Sequence, residues 1–240
     1  MNGPRPAPTW LPAVGCLSIL AALSLTCLMP ILLVDVMQSA LVRLHLTPAG
    51  ATLAVFGIFL GGLINIPIHH IERHEPQPVE LMGAFGIWGF TPRFQRMRQD
   101  TVIAVNVGGC LVPAGLAVWQ IMCLADVGGW PWTALGLVVL ANVAVCYAAA
   151  RPVQGVGIML PGFISPLVSV GVTWLLLAPP EYVPLRAGVA FVAGVVGPLV
   201  GADLFHLRDV TRFSIGVLSI GGAGTFDGIV LSGVLAALLA

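Results

Sequence analysis

The chain has 240 residues, 58% of them apolar and 8% charged, with zero formal net charge and a mean hydropathy of +1.00. Soluble domains carry about 25% charged residues, so this composition cannot clothe a wet surface and excludes an ordinary soluble enzyme. All ten basic residues are arginine; no basic patch exists to neutralise phosphates, which excludes nucleic acid as a partner and leaves the lipid bilayer.

Uncharged runs of 18 residues or more read as membrane-spanning helices. Several occur, and the hydropathy pattern places spans, in chain order, near 10–34, 48–68, 102–124, 133–150, 163–178 and 186–206; a last apolar region, 213–240, is broken by "GGAG" and Asp227. The first run is longer than the roughly 7–15 residues of a cleavable signal core and is expected to stay as a span. The predicted fold is therefore all-α: a polytopic transmembrane helix bundle of about seven spans, forming one integral membrane domain over 1–240.

The connecting segments set an orientation. Arg73, Arg93, Arg96, Arg98, Arg151, Arg208 and Arg212 lie in one set of loops, against Arg43 and Arg186 in the other. The positive-inside rule then makes the N-terminus and the 71–101 loop cytoplasmic. That loop, with "FGIWGF" at its middle, is the only extended polar stretch and is expected to lie at the interface, its aromatics at headgroup depth.

Glycine and proline gather inside the apolar segments, in "GGLINIP" (61–67), "NVGGCLVP" (106–113), "GVGIMLPGFISP" (155–166), "GVVGPLVGAD" (194–203) and "SIGGAGTFDG" (219–228). Two readings compete. Small residues let helices pack closely and prolines kink them; alternatively the helices are discontinuous or re-entrant, with exposed ends lining a site near the midplane. In the second reading "NVGGCLVP" and "GVGIMLPGFISP" are the corresponding breaks.

Polar residues within these segments are candidate site residues. An Asp at the centre of a spanning helix costs about 2.5–3.5 kcal/mol on insertion scales and needs a partner, water or a proton. Asp203 and Asp227 meet that description, and Asp227 follows fourteen uncharged residues. Asn65 and Asn106 are expected to orient a substrate or to bridge helices, as is Asn142 in the fourth span. Gly221, Gly222 and Gly224 would let a backbone approach Asp227. His206 stands one helical turn after Asp203 and could relay a proton. In "HHIERHE", His70 and His74 are four apart, a helical metal-ligand spacing, although solvated interfacial histidines are the plainer reading. The five cysteines have no CxxC pair and read as small buried hydrophobes.

Five motifs, "INIP" (64–67), "VNVGGCLVP" (105–113), "RPVQGVGIMLP" (151–161), "GADLFHLRDV" (201–210) and "SIGGAGTFDGIVLSG" (219–233), resemble a family of prokaryotic multipass membrane proteins known only as domain of unknown function 1614. The resemblance covers residues 55–240. It implies an integral protein of the prokaryotic cytoplasmic membrane and directs attention to Asp203 and Asp227; it implies no activity.

Three functions follow as expectations. The first is transport or permeation of a small solute, cation or proton through a site with intramembrane Asp and broken helices. The second is an intramembrane aspartyl hydrolase with an Asp203/Asp227 dyad; "GGAGTFDG" resembles the Gly-x-Gly-Asp signature of presenilin-like and prepilin peptidases, with two extra residues before Asp227. The third is a non-catalytic scaffold or assembly subunit. No nucleophile elbow, phosphate loop, haem motif or nucleotide fingerprint occurs, and the sequence names no cofactor.

Overall fold

The computed structural model describes residues 11–73, 99–153, 157–213, 216–222 and 224–240. The chain is mostly helical. α1 (Leu11–Val42) and α2 (Pro48–Gly61) come first; Thr47 starts α2, its hydroxyl accepting from Gly50 N–H at 3.1 Å. Strands β1 (Asn65–Arg73) and β2 (Gln99–Asn106) follow, and a π-helical turn, Val107–Leu111, leads into α3 (Val112–Val127). Next come α4 (Gly129–Ala149), a short hairpin of β3 (Arg151–Val153) and β4 (Gly157–Met159), and α5 (Ile164–Leu176). α6 (Val183–Val196) runs through a second π-helical segment, Gly197–Leu204, into α7 (Phe205–Phe213); β5 (Gly216–Ile220) and α8 (Gly228–Leu239) complete the order.

Among the described residues, three helices are long and apolar enough to cross a membrane: Val107–Val127, Gly129–Ala149 and Pro180–Thr211. Exposed leucines such as Leu137, Leu140, Leu167 and Leu175 form the outward surface that lipid would cover. α6 is the hub. Its residues 187–195 are all buried, which only a helix packed on every side tolerates.

The seven-span expectation needs correcting at three places. α2, α5 and α8 have 14, 13 and 12 residues, short of the roughly 20 a full crossing takes. Residues 65–68, 102–106 and 216–220, expected inside spans, are strands. β2 pairs antiparallel with β1 and parallel with β5, giving the sheet order β1–β2–β5. The all-α expectation thus holds for the bundle and fails at one end of it. The reason is physical: non-helical backbone beside lipid must be hydrogen-bonded within the protein, and strand pairing does this.

The two ends of the bundle differ. At one, Trp130 Nε1 donates to the Leu176 carbonyl at 2.8 Å, and Arg186 donates to the Leu177 and Ala178 carbonyls at 2.9 and 2.8 Å, closing the last turn of α5. The other end carries all five strands, with Arg151 and Arg208. The two motifs expected as corresponding breaks diverge. "NVGGCLVP", like "GVVGPLVGAD", coincides with a π-helical segment, whereas the described part of "GVGIMLPGFISP", residues 157–166, is a strand, a turn and the start of α5.

Candidate functional site

The strand-bearing end is built around a clasp of asparagines. Asn106 is fully buried at the end of β2. Its Nδ2 donates to the Gly62 carbonyl at 2.8 Å and to Asn65 Oδ1, while its own Oδ1 accepts from Gly109 N–H at 2.7 Å, capping the first π-turn. Asn65 Oδ1 also accepts from the Ser219 hydroxyl on β5. These two candidate residues, expected inside the second and third spans, stand in strands, and they tie β1, β2 and β5 together. They position the site and do not line it.

Gly109 brings the clasp to bear on Gly221. A Cβ at Gly109 would collide with the Gly221 carbonyl, and Gly221 itself holds φ +71°, a conformation open mainly to glycine. The chain therefore turns sharply after β5. Gly224, also at positive φ, donates to the Gly221 carbonyl at 3.0 Å, and Asp227 follows. Asp227 Oδ1 accepts from Ile229 N–H at 2.9 Å, so the carboxylate caps α8. A capping carboxylate also meets the positive end of the helix dipole. One reason for an acid in this apolar stretch is thus structural.

Asp203 arrives from the other side. It lies in the π-helical segment after α6, which packs on α4 because Gly197 and Gly201 leave room: a Cβ there would overlap the Asn142 amide and the Val143 carbonyl. Asp203 stands 17 residues beyond Arg186, about 25 Å along a helix, and so towards the strand-bearing end.

The two carboxylates, 24 residues apart in sequence, line one cavity of about 410 Å³. β5 and its turn, Val217–Gly222, form one wall. Gly157 and Ile158 of β4, with Leu160, line it too, as do Pro198, Ala202 and Leu207 from the α6–α7 rod. Among the described residues no basic side chain lines it.

Of the remaining candidates, Gly221 and Gly222 line the cavity, and Gly224 packs beneath it against Gly62. His206 does not join Asp203. Its Nδ1 lies 3.0 Å from the Ala202 carbonyl, which can only accept, and its ring lies 4.9 Å from that of Tyr147. The π-helical bonding before it widens the turn, so residues three apart no longer share a face. His70 is an exposed residue of β1, paired with Val102; His74 lies outside the described residues, as does most of the 71–101 loop. Among the described residues no cluster of three metal-ligating side chains occurs.

Sequence reasoning underrated Asn142. Fully buried on α4, its Nδ2 faces the Ser165 and Ser169 hydroxyls, both at 2.9 Å, and the Ala193 carbonyl at 2.7 Å. Its two amide hydrogens are thereby shared among three acceptors. Ser165 further bonds Ser232 of α8, and Cys146 donates to Asn142 Oδ1 at 3.7 Å. This cluster joins α4, α5, α6 and α8 at the centre of the bundle.

Spanning helices, short helices capped by strands and an acidic cavity at one end define the class: a multipass, mostly helical protein embedded in a membrane. Residues 59–239 match the family described as protein of unknown function (DUF1614), and the chain belongs to that family. No curated protein and no solved structure matches it.

Proposed function

We propose that the chain is a membrane-embedded hydrolase working through the Asp203/Asp227 pair. The observation that carries this reading is that both carboxylates line one cavity at the strand-bearing end. Two acids that share a proton divide the labour. The ionised carboxylate takes a proton from water as its oxygen attacks an amide carbonyl carbon, while the protonated one gives its proton to the carbonyl oxygen. Collapse of the tetrahedral intermediate breaks the C–N bond; the leaving amine takes a proton and a carboxylic acid remains. The seven-to-two arginine bias supports a cytoplasmic mouth for the cavity, where water is supplied.

The test is cleavage of a fluorogenic transmembrane peptide by the reconstituted chain. Asp203→Asn and Asp227→Asn should each reduce cleavage to background. Asparagine caps a helix about as well as aspartate, so Asp227→Asn removes the acid and keeps the cap. A second reading rests on the lining, two acids and no basic group: binding and passage of a proton or small cation. Flux of protons or sodium into loaded vesicles, lost in the same variants and without peptide cleavage, would select it. Variants equal to the parent in both assays would leave the scaffold.

A further inference from the structure

The cavity wall formed by β5 has an unusual make-up. Val217, Leu218, Ser219 and Ile220 are consecutive strand residues, and all four line the cavity. Side chains alternate between the two faces of a strand, so four in a row border one space only when that space runs along the strand's edge. One edge of β5 is taken by β2; the other has no strand partner among the described residues. Opposite stand Gly157 and Ile158 of β4, whose strand partner is β3.

An open edge presents a row of backbone N–H and C=O groups and is a template for another strand. The edge here borders a space walled by Ile158, Leu160, Leu207 and Leu218, with the two carboxylates beside it. Val217 at its start is 69% exposed. The four apolar side chains favour apolar neighbours, and the edge offers alternating backbone donors and acceptors. That combination matches the main chain of an apolar peptide in extended form.

We infer that the free edge of β5 binds an extended apolar polypeptide as an added strand, laying its backbone against Asp203 and Asp227. The inference deepens the hydrolase reading and rests on it for the fate of the bound peptide. Four strand residues at about 3.3 Å each give an edge of roughly 13 Å, room for about four residues of guest. A helical guest offers no free backbone groups, so the segment bound must be unwound. Selection then falls on sequences that leave the helix easily, those with glycine, proline or β-branched residues.

The experiment uses the full chain in nanodiscs, carrying Asp203→Asn and Asp227→Asn to prevent turnover and a photoreactive residue at Val217. The probes are a twelve-residue peptide of valine, leucine and alanine and its backbone N-methylated twin, which keeps the side chains and loses the donors. Labelling of the unmodified peptide at least tenfold above its twin is expected, the loss of one to two backbone hydrogen bonds. A second placement at Ile158, on the opposite wall, should show the same preference; one at Leu175, on the lipid-facing surface, should not. Equal labelling of both peptides overturns the inference, as does crosslinking to a second copy of the chain instead of peptide. Cleavage by the unsubstituted chain without a preference at Val217 sinks strand addition and leaves the hydrolase. A preference without cleavage does the reverse.

Discussion

The molecule holds polar groups in two places, and they are built on opposite plans. The Asn142 cluster at mid-bundle is neutral, wholly buried and closed on itself, with four helices contributing. The Asp203/Asp227 cavity is charged, half-buried and walled by strands. A neutral amide surrounded by hydroxyls satisfies itself in a dry interior; a carboxylate pair does not, and needs water or a guest. Polarity here is glue where it is neutral and enclosed, and a candidate site where it is ionisable and open.

That distinction can be broken by measurement. Asn142→Leu should lower the unfolding free energy in detergent by about 2 kcal/mol, three polar contacts at the modest value each has in a membrane protein. Peptide cleavage per folded molecule should stay unchanged. A loss of cleavage out of proportion to the loss of fold would mean the cluster belongs to the site. Asp227 sits on the boundary between the two plans, since it both caps α8 and lines the cavity. Asp227→Ala should be about 1 kcal/mol less stable than Asp227→Asn, the value of a helix cap, and thermal melts of the pair resolve that difference. Equal melts would make the carboxylate purely a cavity group.

The smallest effect concerns Thr173, one turn beyond Ser169 on α5. Its buried Oγ1 has no hydrogen-bond partner. Thr173→Val removes an unpaired hydroxyl at constant shape, so stability should change by no more than about 0.5 kcal/mol and in the stabilising direction. A clear loss, read by the same melts, would show that the hydroxyl serves the cluster after all.

The membrane class and both carboxylates were legible in the sequence because charge stands out in an apolar run. The breaks at "NVGGCLVP" and "GVVGPLVGAD" were legible too, since clustered Gly and Pro mark them. What hid was the kind of break. "TVIAVN" and "GVLSI" are short apolar runs that periodicity cannot divide between strand and buried helix, and long-range pairing, of the first with β1 and of the second with the first, made them strands. Asn65 and Asn106 read as substrate ligands because their partners, Gly62, Gly109 and Ser219, come together only once the sheet forms. His206 was misplaced by counting a regular turn through a stretch that is π-helical.

The sheet also fixes a timetable. β5 pairs with a strand 115 residues earlier, Thr101 opposite Gly216, and contacts of such long separation form late. A nascent chain that has inserted through α7 already holds Asp203, yet has neither the β5 wall nor Asp227. The acid pair is therefore assembled only after the rest of the bundle is in place.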